Sequence, residues 1–294
     1  MRERQPDEEY RVKVGSFEVQ VYSFGRSEEV LLCVNGGPGL PCEYLRDSHS
    51  ALVDRGYRVV IHDQLGTGRS DRPTDKSLWT LKRYVEEIEA VRDALELGRV
   101  HLLGHSWGTW LGFEYLLRYR GVAKTFVCAN GSAEIQLNLR DINRYRTALG
   151  PETVAMMELH EAEGTTDHPE YQAAITILNY RHFCRLKSWP VSLRHSVDDL
   201  NMEIYGSLWG PNEFTCTGPL KSWDRLADIH EIEQPCLVLC GRYDETPPES
   251  AARICGRLRN SQLRVFDNSS HTPFFEEPER YLETLTEFLD RHRS

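Results

Sequence analysis

Ser106 lies in Gly104-His105-Ser106-Trp107-Gly108, where the apolar run 99–103 gives way to a helical pattern. A serine hydroxyl is a weak nucleophile. It needs a base to take its proton and an acid to orient that base. Two later segments offer these parts. Asp244 follows the apolar run "CLVLC" (236–240), and His271 follows "QLRVF" (262–266) in "SSHTPFFEEPE". Each of the three residues stands just past a predicted strand. In a parallel sheet all three would share the carboxyl edge, where open α/β sheets carry their sites. Any one of the eleven histidines is by itself more naturally structural. His271 stands out because its place answers to Ser106 and Asp244 together, whereas His105 reads as packing beneath the turn.

Attack by Ser106 on a carbonyl would need two preorganised N–H donors for the oxyanion. The residue after the nucleophile, Trp107, offers one. The loop "CVNGGPG" (33–39) follows another strand and offers the second, with Gly37 the expected donor. Read alone, that loop is an ordinary Gly/Pro turn. Beside the serine, acid and histidine it reads as the other half of an oxyanion hole.

These residues need a scaffold, and the chain supplies its elements in a legible order. Strands are predicted at "YRVKV" (10–14), "FEVQVYSF" (17–24), "VLLCV" (30–34), "YRVVIHD" (57–63), "RVHLL" (99–103), "KTFVCAN" (124–130), 236–240 and 262–266, from their β-branched and aromatic content. Helices are predicted at 79–97, 109–120, 248–258 and 278–291. In the first, Leu81, Tyr84, Val85, Ile88, Val91 and Leu95 fall on one face and Gly98 supplies a stop. Strands alternating with helices imply a parallel sheet covered on both faces, and the early strands without helices imply an antiparallel edge. From Ala133 to about Tyr205 the chain is polar and helix-like with no clear strand, which reads as an insertion.

Composition narrows the function classes. The 294 residues suffice for one large domain or a domain with an insertion, and the hydrophobic fraction of 40% supports a real core. Asp and Glu outnumber Lys and Arg by 45 to 35, for a formal charge of −10. An acidic chain without a basic stripe is a poor match for nucleic acid or an anionic membrane and tolerates cationic ligands. "MRERQPDEEY" lacks the apolar core of a secretory leader, no apolar run approaches a membrane span, and the eight scattered cysteines read as reduced core residues. The expectation is a cytoplasmic protein. Cys236 and Cys240 have no second ligand pair to complete a zinc pattern, so no metal is expected.

The segments "NGGPG" (35–39), "HDQLGTGRSDRP" (62–73), "GHSWGTWLG" (104–112), "GPNEF" (210–214), "GRYDE" (241–245) and "SSHTPFFEEPE" (269–279) resemble, in order, those of the proline iminopeptidases of the α/β-hydrolase fold, including the aminopeptidase that trims products of the tricorn protease. The resemblance spans nearly the whole chain. It implies a mostly parallel eight-stranded sheet with helices on both faces, a core of residues 1–131 and 223–294, and a helical cap at 132–222. The implied activity is release of one N-terminal residue, proline or another apolar residue, from short peptides, with no metal or organic cofactor. Glu213 and Glu245 match the positions that hold the substrate's α-ammonium, and Tyr205 matches a position near the substrate. "DQLGTGRSDRP" is expected to brace the loops around the site. Asn35 stands where the family commonly has His, which puts the shape of the first subsite in question. The cap's Tyr180, Phe183, Trp189, Tyr205, Trp209 and Phe214 could roof the site or simply pack.

Two other readings compete. One is an amidase or esterase of the same fold acting on an amino-acid amide or small metabolite. The other is a hydrolase fold used as a binding module, against which the complete triad and oxyanion loop argue. The aminopeptidase reading carries a pH expectation. With His271 at an ordinary pKa near 6.5, the acid limb of kcat/KM falls at about that pH for every substrate. An alkaline limb at about 8, set by the substrate amine, should appear for aminoacyl substrates and vanish for an ester without an amine.

Overall fold

The computed structural model describes residues 4–293. Eight strands form one sheet: β1 (Glu8–Val14), β2 (Phe17–Phe24), β3 (Val30–Val34), β4 (Arg58–His62), β5 (Val100–His105), β6 (Ala123–Ala129), β7 (Cys236–Gly241) and β8 (Ser261–Phe266). Their order is β1-β2-β4-β3-β5-β6-β7-β8. The antiparallel pairings are β1 with β2 and β2 with β4, while every pairing from β4 through β8 is parallel. The antiparallel edge expected from the helix-free early strands is therefore present.

The helices are α1 (Glu43–His49), α2 (Leu81–Ala94), α3 (Trp107–Arg118), α4 (Ile135–Thr147), α5 (Pro151–Glu163), α6 (Pro169–Leu178), α7 (Val191–Asp198), α8 (Met202–Leu208), α9 (Pro248–Arg257), α10 (Pro273–Glu276) and α11 (Pro278–Asp290). Between β6 and β7 the chain makes α4–α8 and adds no strand to the sheet. Alternate residues of each central strand feed opposite cores. Leu102, Phe126 and Val238 pack with Ile88 of α2, Leu111 of α3 and Ile254 of α9. Their neighbours Leu103, Val127 and Leu237 pack with Leu45 of α1 and Leu285 of α11. A third cluster, Ile142, Met157, Tyr171, Leu178 and Phe214, holds α4–α6 together. All eight cysteines are free thiols. Among the described residues no helix is long and apolar enough to cross a membrane.

Element boundaries moved where local chemistry outweighed periodicity. The helix expected at 79–97 begins at Leu81, because the Thr80 side chain accepts the Arg83 N–H and sets the start. The helix expected at 109–120 begins two residues earlier, directly after Ser106. Helix α1 and the short α10 were not expected. Neither is long enough for a helical period to show.

The turn at Ser106 explains its glycines. Ser106 has φ +54°, a left-handed conformation costly for a residue with a side chain. A Cβ on Gly104 would lie 2.2 Å from the Gly108 carbonyl oxygen, and one on Gly108 would lie 2.1 Å from that of Val34. Both contacts are with backbone at the crossing of β5, α3 and β3, so no rotamer relieves them. Gly108→Ala is therefore expected to destabilise the fold toward the upper end of the ~1–3 kcal/mol typical of overpacking. In exposed Gly206 of α8 an added Cβ meets nothing within 4 Å, so Gly206→Ala should be neutral or stabilising. Parallel thermal denaturation of the two variants checks this; equal losses would refute the crowding argument.

Candidate active site

Ser106, Asp244 and His271 stand beyond the ends of β5, β7 and β8, at one edge of the sheet. Asp244 is fully buried and His271 is nearly so. His271 Nδ1 lies 2.7 Å from Asp244 Oδ1, which also accepts the Thr246 N–H at 3.0 Å. The other carboxylate oxygen, Oδ2, accepts the Asn130 amide at 2.6 Å. Asn130 was not singled out from the sequence. It follows β6 with φ +55°, and the same amide reaches the Ser270 carbonyl at 3.3 Å. It thus ties Asp244 to the loop that carries His271.

A second set of contacts joins His105, the neighbour of Ser106, to both flanking loops. Tyr44 Oη accepts the Gly36 N–H at 2.8 Å and lies 2.7 Å from His105 Nδ1, while His105 Nε2 lies 2.9 Å from the His271 carbonyl. The donors leave one consistent assignment. Tyr44 donates to Nδ1, and neutral His105 donates from Nε2. Burial holds His105 well below the usual histidine range, which keeps it neutral. His105 is therefore a fixed linker between the GGPG loop and the His271 loop. Glu276 braces the latter, accepting the Ser270 N–H at 2.8 Å and its hydroxyl at 2.9 Å, and also the Arg185 N–H at 2.8 Å.

The peptide N–H groups of Gly37 and Trp107 have no protein acceptor among the described residues. Gly37, with φ +130°, lines the cavity above Ser106. The Trp107 indole donates to Gln64 Oε1 at 3.1 Å. Gln64 in turn donates to Asn35 Oδ1 at 3.2 Å, and the Asn35 amide donates to the Leu40 carbonyl at 2.5 Å. Asn35 is buried and does not line the cavity, so it braces the GGPG loop rather than shaping a subsite. Asp63 of the "DQLGTGRSDRP" segment accepts the N–H groups of Cys42 and Arg69 and the Tyr22 hydroxyl, each at 3.0 Å, which is a bracing role.

The cavity measures about 190 Å³. Ser106, His271, Gly37, Tyr205, Glu213 and Glu245 share its wall, and Leu40, Phe183, Trp189, Val197 and Leu200 supply apolar surface. Of the aromatic residues expected in the insertion, Phe183, Trp189 and Tyr205 reach this cavity; Tyr180 packs on Trp189 and Phe214 joins the α4–α6 cluster. Asn179–Phe183 forms a π-helical turn that brings Asn179 and Phe183 to the wall. Tyr205 donates to Glu213 Oε2.

Glu245 approaches the histidine from the side opposite Asp244, with Oε1 3.4 Å from His271 Nε2. Among the described residues no Lys or Arg lies within ion-pairing distance of Glu213 or Glu245, and Ser106 makes no hydrogen bond to His271. Burial raises both glutamates above the usual carboxylate range; the Tyr205 hydroxyl opposes this at Glu213, and the charge of His271 opposes it at both. Burial alone would lower His271, but the carboxylates of Glu245, Asp244 and Glu213 outweigh it and push the imidazole up to about 9. Glu245 is the largest of the influences that raise His271, and the charge of His271 in turn opposes the rise of Glu245, so the two titrate as a coupled pair.

Potential metal ligands converge elsewhere, at His160, His168 and Glu170, within 4.8 Å of one another. The two imidazoles stack with centroids 4.6 Å apart and planes at 18°, so their in-plane lone pairs do not meet at one point. His168 Nδ1 accepts the Glu170 N–H at 3.3 Å and caps α6. That geometry serves a helix start.

The comparisons agree with this architecture. A model of the alpha/beta hydrolase fold family matches residues 29–278. The proline iminopeptidase of Heyndrickxia coagulans is 38% identical over 261 residues, 88% of this chain and 90% of that protein. The solved structure of VinJ superposes with a TM-score of 0.94 at 30% identity, covering 98% of this chain and all of the other. That of the proline iminopeptidase of Mycobacterium smegmatis gives 0.89 at 29% identity, covering 97% and 98%. The fold and the site's place on it define an α/β-hydrolase. Within that class, the chain belongs to the proline iminopeptidase family.

The raised pKa values have a consequence for stability. The folded protein holds protons at His271 and Glu245 at pH values where the unfolded chain has released them. Their contribution is fully present below the unfolded values, about 6.5 for His and 4.3 for Glu, and is lost as pH rises through the folded ones. Unfolding free energy of the ligand-free protein should therefore fall from about pH 4.3 to about 9, with the His271 part lost above about 6.5, and Glu245→Gln should flatten the fall. Denaturant titrations at several pH values measure it; a profile unchanged by the substitution would mean that the pair does not retain the proton.

Proposed function

We propose that the protein is a serine aminopeptidase that releases an N-terminal residue, proline or another apolar residue, from short peptides through an acyl-enzyme on Ser106. One observation carries this reading: two half-buried carboxylates, Glu213 and Glu245, face the cavity beside the serine, and among the described residues no Lys or Arg compensates them. Carboxylates partly withdrawn from water are costly when unpaired, and a cationic ligand group offsets that cost. A substrate α-ammonium placed between them brings its own residue's carbonyl carbon, one atom beyond Cα, toward Ser106. The volume of about 190 Å³ is small beside the ~300–1,000 Å³ of pockets for drug-sized ligands, which suits one residue rather than a chain running through. The apolar surface of Leu40, Phe183, Trp189, Val197 and Leu200 suits an apolar side chain or a proline ring.

In the proposed reaction, His271 Nε2 takes the Ser106 proton as Oγ bonds to the carbonyl carbon. The N–H groups of Gly37 and Trp107 meet the oxyanion. His271 then gives its proton to the leaving amine as the C–N bond breaks, and water repeats the cycle on the ester. Asp244 holds the imidazole by Nδ1, and Asn130 positions Asp244. Residues 132–222 act as a cap whose π-turn, Tyr205 and Glu213 close the substrate's amino end.

Ser106→Ala should lose at least ~10⁴-fold in kcat while keeping its thermal stability. Wild-type turnover of the purified variant would remove the reading. Glu213→Gln should cost aminoacyl-anilides roughly 1.5–3 kcal/mol in kcat/KM, for a lost hydrogen bond to a charged group. N-acetylated anilides should be poor substrates for the wild type. Equal rates on free and acetylated substrates would refute recognition of the amine.

A further inference from the structure

The histidine meets carboxylates on both sides. Asp244 takes Nδ1, as an orienting acid should. Glu245 takes Nε2, the atom that has to accept the Ser106 proton. We propose that Glu245 occupies His271 in the empty enzyme, and that the substrate's ammonium, by drawing Glu245 to itself, frees Nε2 to serve Ser106. Recognition of the free amine and activation of the base are then one event. The inference rests on the ammonium reading of Glu213 and Glu245 and adds to it a second task for Glu245, the positioning and release of the base.

The argument is geometric first. Glu245 Oε1 stands at ion-pairing distance from Nε2, 3.4 Å, where its charge favours a proton on that nitrogen and so keeps the lone pair from Ser106. Ser106 has no hydrogen bond to His271 in this arrangement. The other groups against the imidazole cannot substitute for Glu245. Asp244 is held by Asn130 and the Thr246 N–H, His105 is a neutral linker with its ring centroid 4.8 Å away, and Phe183 stacks at 5.7 Å without charge. Glu213 contributes its charge more weakly and is bonded to Tyr205. The upward shift of His271 to about 9, in which Glu245 is the largest raising influence, agrees with this. The proton count follows. The empty site keeps a proton on His271 near neutral pH. The ammonium takes the place of the imidazolium beside Glu245, and the His271 proton leaves for solvent, so binding a cationic substrate releases protons.

Kinetics separates this coupling from simple binding, because kcat/KM reports the free enzyme and kcat the complex. For an aminoacyl-anilide, the acid limb of kcat should lie near an ordinary histidine value of about 6.5. The limb of kcat/KM should lie well above it, at the pH where the empty pair titrates. For p-nitrophenyl acetate, which has no amine, both limbs should coincide at the high value. This replaces the single limb near 6.5 expected from an unperturbed histidine. Glu245→Gln should act in opposite directions on the two substrates. Anilide kcat/KM falls, whereas ester hydrolysis at pH 7 rises at least tenfold as the neutral fraction of His271 grows from about one in a hundred toward a half or more. Glu213→Gln should weaken the anilide and leave the ester limb high.

Coincident kcat and kcat/KM limbs near 6.5 for both substrates in the wild-type enzyme would overturn the proposal, and this measurement does not depend on any variant folding. If Glu245→Gln weakened the anilide and left the ester profile unchanged, the coupling would be overturned and ammonium recognition retained. If it changed neither substrate, the ammonium reading itself would fall and the coupling with it.

Discussion

Two half-buried glutamates, one of them against the histidine, are the constraint around which this site is arranged. Carboxylates at Glu213 and Glu245 face a cavity where, among the described residues, no lysine or arginine stands beside them, and the Tyr205 hydroxyl and the His271 imidazole are what meet them. The surrounding features serve to keep this unfavourable grouping in place. The π-helical turn Asn179–Phe183 and the Glu213 loop approach from the α4–α8 segment, while Glu245 and His271 are fixed to the ends of β7 and β8. The Glu245 N–H donates to the His182 carbonyl at 3.2 Å, so the two sides are joined by backbone where the charges meet.

The other half of the site depends on crowding rather than charge. Ser106 adopts φ +54° at a turn where strand β5, helix α3 and strand β3 converge too closely for side chains at Gly104 and Gly108. The linker from Gly36 through Tyr44 and His105 to the His271 carbonyl then holds the GGPG loop and the His271 loop at a fixed separation. It is made of neutral groups in a dry interior, where fully satisfied hydrogen bonds are strong and the alternatives expensive. Burial keeps His105 neutral. The same burial would neutralise His271, had the sequence not placed acids on both its sides.

What could be read from the sequence was whatever depends on position along a strand. The eight apolar runs became the eight strands, and the residues just past three of them became Ser106, Asp244 and His271 at one edge. Gly37 and Trp107 followed from the same logic. What could not be read depends on partners far apart in the chain. Tyr44 meets His105 across 61 positions and Asn130 meets Asp244 across 114, and no local pattern marks either pair. Asn35 illustrates the point. As a departure from a motif it suggested a change in the subsite, but its amide turns inward to the Leu40 carbonyl and supports the loop. The contact of Glu245 with Nε2 was equally hidden. Sequence adjacency to Asp244 puts it near the histidine but does not say which nitrogen it meets.

Rigidity and charge together determine what is free to change when a ligand arrives. The elbow cannot relax toward the base, because Gly104 and Gly108 already sit at backbone contact. The base cannot swing on its ring, because Asp244 holds Nδ1 and the His105 linker holds the carbonyl of the same residue. What this frame leaves open is the protonation of His271 and of Glu245, whose carboxylate stands 3.4 Å from Nε2. In the proposed reading the charge that acts on this pair is a cation between Glu213 and Glu245, the free amino terminus of a substrate.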